Sequence, residues 1–101
     1  MAFVKALGAS DLAEGEMKKV VLQGKEIALS KVGQDFLAFD DICTHEYCPL
    51  SDGSLEGNIV TCPCHGSRFD IRSGDVLNLP AVVPLKTYKV KVEKGDVLID
   101  L

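Results

Sequence analysis

All the cysteines and histidines of this chain, four of the first and two of the second, lie between positions 43 and 65. They fall in two short stretches, Cys43-Thr44-His45-Glu46-Tyr47-Cys48 and Cys62-Pro63-Cys64-His65-Gly66. Cysteines that serve only as small hydrophobic core residues would be spread along the sequence, so packing does not account for this crowding. Because each stretch offers a thiolate and an imidazole, the sequence predicts that the two stretches meet at one metal site.

The order of the ligands distinguishes between the metals that such a site could hold. Two cysteines and two histidines would suit tetrahedral zinc, but structural zinc loops usually pair like ligands, as C-x₂₋₄-C followed by H-x₃₋₅-H. This chain has C-x-H, then sixteen residues, then C-x₂-H. Mixed loops favour a binuclear cluster in which both thiolates bind one iron and both imidazoles bind the other. A zinc-stabilised binding module is the alternative, and colour separates the two, since an iron–sulfur protein is red-brown.

Short strands account for most of the remaining sequence, and no segment keeps a helical period over three turns. Alternation of period two is clear where Tyr88, Val90 and Val92 interleave with Thr87, Lys89 and Lys91, which predicts a half-buried strand. The fold class is therefore predicted to be all-β with very little helix. The other predicted strands are Phe3–Leu7, Met17–Leu22, Ile27–Val32, Asp35–Phe39 and Val97–Leu101.

Three glycine-containing pairs predict the turns between these strands: Gln23-Gly24, Gly33-Gln34 and Lys94-Gly95. A single capped helical turn is predicted where Asp11 is followed by Glu14 and Gly15.

The stretch from about 41 to 80 differs from the rest, because its strands are shorter and glycine and proline crowd in. Loops carry functional sites when a rigid scaffold positions them, so we interpret residues 41–80 as a site-bearing insertion in a small β framework. A chain of 101 residues is too short for two separate cores and is predicted to be a single domain, 1–101.

The two stretches resemble the Rieske family of [2Fe–2S] proteins. The match continues past C-x-H…C-x₂-H into Gly66-Ser67-Arg68-Phe69-Asp70 and the Ser73-Gly74 turn. The resemblance implies a base of antiparallel sheets, like a β-sandwich, under a cluster-binding subdomain at about 41–80. It also implies that the cysteines bind an inner iron and the histidines an outer iron near the tip. The implied ligands of the one [2Fe–2S] cluster per chain are Cys43, His45, Cys62 and His65.

Two cysteines, Cys48 and Cys64, are left over. The resemblance places them where the high-potential Rieske proteins of cytochrome complexes have a disulfide that bridges the two loops, whereas dioxygenase-type ferredoxins usually lack this pair. Such a bridge would stabilise the fold by about 3 kcal/mol in the chain-entropy model. The reducing cytosol disfavours disulfide bonds, so the alternative is that Cys48 and Cys64 are two buried free thiols.

The ligand set predicts a reduction potential above that of a cluster with four cysteines. Two thiolates and two neutral imidazoles make the oxidised centre neutral, and an electron adds more easily to a neutral centre than to a dianion. Rieske centres accordingly lie at roughly −150 to +300 mV, against roughly −400 mV for plant-type centres. The resemblance implies that Ser67 donates its hydroxyl to a cluster sulfur and that Phe69, often tyrosine there, cannot donate. We therefore expect a potential between the two ends of the family range, with Ser67 as a plain turn residue the alternative.

The formal charge of −4 and a sequence pI near 5.0 argue against a nucleic-acid-binding surface. The first residues contain no apolar run of the roughly 7–15 residues that a signal peptide needs. Nothing approaches the roughly 20 apolar residues of a membrane span. The sequence therefore predicts a soluble, cytoplasmic protein that works without a membrane anchor.

The function that follows is a free, monomeric one-electron carrier, taking electrons from a reductase and delivering them to a terminal oxygenase or a similar acceptor. No nucleophile–base pair or substrate motif is visible, so the chain is predicted to be an electron-transfer protein and not itself an enzyme. An electron-transfer subunit of a stable complex, such as an oxidase small subunit, is the other alternative, and purification as a complex would reveal it.

Overall fold

Short antiparallel strands carry most of the chain in the computed structural model, which describes residues 2–44, 48–64, 66–79 and 81–101. The described ranges contain two 3-10 turns, Ala9–Asp11 and Leu50–Asp52, and no α-helix, so none of their helices could cross a membrane. The all-β prediction is confirmed. The strands are β1 Phe3–Gly8, β2 Met17–Leu22, β3 Lys25–Val32, β4 Asp35–Asp40, β5 Ser54–Glu56, β6 Ile59–Thr61, β7 Arg68–Asp70, β8 Val76–Asn78, β9 Thr87–Tyr88, β10 Val90–Glu93 and β11 Asp96–Asp100.

These strands form three antiparallel sheets, in the orders β1-β11-β10, β2-β3-β4-β9 and β5-β6-β7-β8. The first two sheets make the base, and the third is built entirely from short strands between residues 54 and 78. The hairpin turns have the backbone that a two-residue turn requires, with positive φ at both Gln23 and Gly24 and at both Lys94 and Gly95. The hairpins predicted at these two pairs are therefore confirmed.

The buried side chains form two clusters, one on each face of the β2-β3-β4-β9 sheet, instead of the single core that the chain length suggested. Successive residues of a strand point to opposite faces, and β3 and β4 use both. Ile27 and Leu29 pack with Ala38, Val97 and Ile99 in one cluster, which we call the base core. In the other, the site core, Ala28 and Phe39 pack with three cysteines and with residues of the third sheet. Two small cores fit a chain this short because they share one sheet as a common wall.

The predicted helical turn at Asp11 is wrong in position. The 3-10 turn is Ala9–Asp11, and Asp11 ends it. The Asp11 carboxylate reaches back to accept a hydrogen bond from the N–H of Gly8 at 3.0 Å. Asp11 therefore does not begin a turn with Glu14 and Gly15. It caps the N-terminus of the turn in which it is the last residue.

The single strand predicted through residues 87–92 is divided between two sheets. β9 pairs with β4, whereas β10 pairs with β11, and the chain passes from one sheet to the other at Lys89. The alternation of apolar and polar residues over 87–92 therefore does not predict which of the apolar side chains are buried. Val92 lies on the edge strand β10 and is 52% exposed.

Candidate metal centre

The first cysteine-containing loop leaves β4 and is closed at its base by a ladder of backbone hydrogen bonds. The N–H of Leu50 donates to the carbonyl of Asp41 at 2.9 Å, and Ile42 and Pro49 form an antiparallel bridge. One step further along, the N–H of Cys43 donates to the carbonyl of Cys48 at 3.0 Å. Cys43 and Cys48 are thereby held opposite each other across the loop.

The Asp41 side chain reinforces the base of this first loop. Sequence reasoning missed this role of Asp41. Its carboxylate accepts hydrogen bonds from the N–H of Ser51 at 2.7 Å and from the Ser51 hydroxyl at 2.8 Å. Asp41 is buried, and this burial raises the pKa of its carboxyl above the usual range, although the bonds from Ser51 oppose the shift. The only local signal in the sequence is an aspartate placed just before a loop.

The second loop joins β6 to β7 and turns within a few residues. The N–H of Cys62 donates to the carbonyl of Ser67 at 2.8 Å, and the N–H of Gly66 donates to the carbonyl of Cys62 at 3.1 Å. Gly66 has a φ of +76°, a conformation that glycine adopts without a steric penalty. Cys62 therefore stands at the entry of a tight turn, as Cys43 stands at the entry of the first loop.

The two loops are joined by a disulfide between Cys48 and Cys64, whose Cα atoms are 6.4 Å apart. Cys43 and Cys62 stand outside this bridge and are buried in the site core, at 3% and 2% exposure. The Cys62 sulfur lies within 4.8 Å of both bridge sulfurs, so the disulfide packs directly beside a predicted ligand.

This arrangement fits a centre with two thiolate ligands. With Cys48 and Cys64 bonded to each other, the cysteines outside the bridge are Cys43 and Cys62, one at the start of each loop. Soft thiolates suit an iron–sulfur cluster, and a centre with two of them takes its remaining ligands from another residue type. The other two predicted ligands, His45 and His65, lie outside the described residues.

Ser67 and Phe69, which the sequence singled out beside the second loop, are both fully buried. The hydroxyl oxygen of Ser67 accepts a hydrogen bond from the N–H of Ala81 at 3.1 Å. A hydroxyl that accepts in this way keeps its own proton for donation to another group. The predicted donation to a cluster sulfur stays a prediction. Phe69, on β7, packs in the site core beside the cysteines.

A third segment, which begins at the end of β8, rests on both loops and was missed from the sequence. The Thr44 hydroxyl donates to the carbonyl of Val83 at 2.7 Å, next to the predicted ligand Cys43. On the second loop, the Asn78 side chain accepts from the N–H of Arg68 at 2.8 Å and donates to the carbonyl of Gly66 at 3.4 Å. These bonds join residues 10 to 39 positions apart, so no local pattern announces them.

Comparison with known proteins identifies the fold and the centre together. The family description that matches is the Rieske [2Fe–2S] domain, over residues 2–89. The chain is 42% identical over 99 residues to the ferredoxin component of the naphthalene 1,2-dioxygenase system of Pseudomonas putida, covering 98% of this chain and 95% of that protein.

Solved structures give the same result. A chain in the complex of reduced oxygenase and oxidised ferredoxin in carbazole 1,9a-dioxygenase is 36% identical, with a TM-score of 0.91, covering 96% of this chain and 91% of that one. The terminal oxygenase of carbazole 1,9a-dioxygenase from Nocardioides aromaticivorans IC177 is 30% identical, with a TM-score of 0.86; the match covers 96% of this chain but 29% of the oxygenase. With its antiparallel sheets, paired loops and buried cysteines, this chain belongs to the Rieske [2Fe–2S] domain family.

Proposed function

We propose that this protein is a one-electron carrier that takes electrons from a reductase and delivers them to a terminal oxygenase. The observation that carries the proposal is the similarity, over nearly the full length of both chains, to a ferredoxin component of a dioxygenase system. The structural match to a chain in an oxygenase–ferredoxin complex, of which 91% is covered, supports the same role. We further propose that the protein is a monomer in the cytoplasm and that residues 41–80 act as the cluster-binding subdomain of its single domain.

The ligands that we propose are Cys43 and Cys62 for one iron and His45 and His65 for the other. When bound, the [2Fe–2S] cluster supplies the one-electron redox chemistry that no amino-acid side chain here offers. Cys43 and Cys62 are buried among apolar side chains, which keep water from the two sulfurs. The backbone bonds that close each loop fix where these sulfurs lie, and the Cys48–Cys64 bridge ties the loops to each other. Such a rigid setting means that little of the protein has to move when an electron arrives or leaves.

Metal analysis and spectroscopy test the centre itself. We expect two irons and two labile sulfides per chain. Electron paramagnetic resonance of the reduced protein should give an average g value below that of an all-cysteine ferredoxin, together with couplings to nitrogen. Replacing His45 or His65 with alanine should lose or convert the cluster, since the chain has no third histidine to substitute. Stoichiometric zinc without iron, in protein made under iron-replete conditions, would contradict the proposal and favour a zinc-stabilised module.

Reconstitution tests the carrier role. The purified protein should elute as a monomer, accept electrons from a dioxygenase reductase and support turnover of the matching oxygenase in proportion to its concentration. Cluster-free protein of the same sequence is the control and should support none. Co-purification in a fixed ratio with a larger enzyme would instead favour a subunit of a stable complex. Cell fractionation checks the cytoplasmic location.

A further inference from the structure

An apolar surface lies beside the two cysteine loops, formed by Leu79, Val82 and Val83, which we call the apolar rim. These residues are 72%, 73% and 54% exposed, so the first two are the most exposed large apolar residues in the described part of the chain. Single exposed apolar residues are common on protein surfaces, but several within five positions mark a surface that another molecule covers.

The apolar rim is held in place from beneath. Ala81 and Leu85, its neighbours in sequence, are buried in the site core together with Cys43 and Cys62. The Val83 carbonyl accepts from Thr44 of the first loop, and the Ala81 N–H donates to Ser67 of the second. A surface ordered in this way before it binds loses little conformational entropy on binding, which favours affinity.

Charge is absent from the same part of the sequence. Residues 76–85, Val-Leu-Asn-Leu-Pro-Ala-Val-Val-Pro-Leu, contain no Lys, Arg, Asp or Glu, although such residues make up 26% of the chain. The partner that fits is therefore one whose contact surface is itself largely apolar, with little contribution from ion pairs.

We propose that the apolar rim is the surface on which a terminal oxygenase docks to receive the electron, an inference that rests on the electron-transfer function proposed above. The segment that carries the rim contacts both loops with the predicted ligands, through Val83 on the first and Ala81 on the second, so a partner seated on the rim lies beside the proposed cluster site. The oxygenase is favoured over the reductase by the similarity to a chain from an oxygenase–ferredoxin complex. The terminal oxygenase also contains a region of this same fold, over 29% of its length, that can meet the carrier as electron acceptor.

Stopped-flow mixing tests the inference, with the oxygenase of carbazole 1,9a-dioxygenase as the probe. The carrier is reduced beforehand and freed of reductant. Each carrier cluster then loses one electron, and the oxidised oxygenase gains it. We expect Leu79→Ser and Val82→Ser each to lower the second-order rate constant about tenfold, as loss of a central apolar contact does. Raising the salt concentration from about 0.05 to about 0.5 M should change the wild-type rate constant by less than about threefold, because residues 76–85 carry no charge for salt to screen.

Val21→Ser is the matched control, because Val21 is 62% exposed but lies on β2, in a different sheet from β8, the strand that leads into the rim. It should leave the rate constant unchanged. In all three variants the visible spectrum and the reduction potential should equal those of the wild type, which shows that the cluster and fold are intact.

The outcomes separate the two proposals. If the wild type transfers no electron to the oxygenase, the proposed function fails and takes the docking surface with it. If the wild type transfers but the rim variants match Val21→Ser, the docking surface alone is wrong. Two further results would overturn the docking surface. One is a rim variant that slows electron transfer from the reductase to the carrier but not from the carrier to the oxygenase. The other is a wild-type dimer that Val82→Ser dissociates, since the rim would then bind a second copy of the chain.

Discussion

Asp70, at the end of β7, ties the loop that follows it to the third sheet. Its carboxylate accepts hydrogen bonds at 2.9 Å from the backbone N–H of Arg72 and from the side-chain amide of Asn58. These bonds, that of Arg72 first, lower the pKa of the Asp70 carboxyl below its usual value. The unfolded chain therefore binds this proton more tightly than the folded one. The stability gained is complete above the unfolded pKa of about 4 and is lost as the pH falls through the lower folded pKa.

We expect Asp70→Asn to lower the free energy of unfolding by about 1 kcal/mol at neutral pH, since the amide keeps an acceptor oxygen but not the charge. The difference from the wild type should shrink as the pH is lowered below about 4, where the wild-type carboxylate also becomes protonated. Urea unfolding across pH measures it, with the exposed Asp75→Asn as a control that should have little effect. An Asp70→Asn difference that is equal at neutral and acidic pH would show that the charge is not its source.

Ser67 has one observed contact and one predicted role, and a single substitution tests both. Ser67→Ala removes the acceptor of the Ala81 N–H, which should cost about 1–3 kcal/mol of stability because that donor is left buried and unpaired. If the hydroxyl also donates to a cluster sulfur, the reduced form loses stabilisation, and the potential should fall. Phe69→Tyr, which adds a donor, should raise it. Protein-film voltammetry decides: a stability loss with an unchanged potential would make Ser67 a structural link only.

At the scale of structural elements, the stability of the two cysteine loops depends on the disulfide that joins them. The Cys48–Cys64 disulfide spans 16 positions, and Cys48→Ser should lower stability by about 2–4 kcal/mol and loosen the cluster. Alkylation of unfolded, cluster-free protein before any reduction should find two thiols, those of Cys43 and Cys62. Finding four would mean that the bridge is absent from the protein in solution. Cys64→Ser should match Cys48→Ser, since either variant opens the same bond.

Gly53 allows the backbone at the end of the first loop to pack closely against β6. A Cβ atom at this position would overlap the carbonyl oxygen of Thr61, so the turn can pack there only without a side chain. Gly53→Ala should therefore push the turn away from β6, lower the thermal midpoint and reduce the iron bound per chain. Gly57→Ala is the comparison, because its Cβ would meet nothing within 4 Å and only its φ of +60° opposes the change. Equal iron content in the two variants would count against this role for Gly53.

Local turn chemistry was readable from the sequence, and long-range pairing was not. Gln23-Gly24 predicted a hairpin because both residues of such a turn need positive φ, which is a property of those two positions alone. The change of sheet at Lys89 depends instead on which distant strand each neighbour pairs with. The two metal-binding loops were predicted from the cysteine and histidine spacing and the four ligands from the family resemblance, whereas the contact from Thr44 to Val83 joins residues 39 positions apart. The apolar rim was therefore missed, although its lack of charge was visible in the sequence.

At the scale of the whole molecule, family membership agrees with the predicted class, ligand spacing and electron-transfer role. The resemblance placed the Cys48 and Cys64 pair where the high-potential proteins of cytochrome complexes have their disulfide, yet the chain is 42% identical over 99 residues to a ferredoxin component of a dioxygenase system. A loop-bridging disulfide in this structure therefore does not mark a cytochrome-complex protein. The bridge depends on two residues and can be present in either setting.

The shared wall between the base core and the site core has a practical consequence for engineering. Ile27 and Leu29 face away from the cysteines, and Ala28 faces toward them, so alternate positions of one strand serve two separate purposes. Repacking the base core, for instance around Val97 and Ile99, should raise heat tolerance without altering the surroundings of the two ligand thiols. Redox tuning would be carried out on the opposite face, by a different set of substitutions. One small protein thus offers designers two adjustable properties that can be changed one at a time.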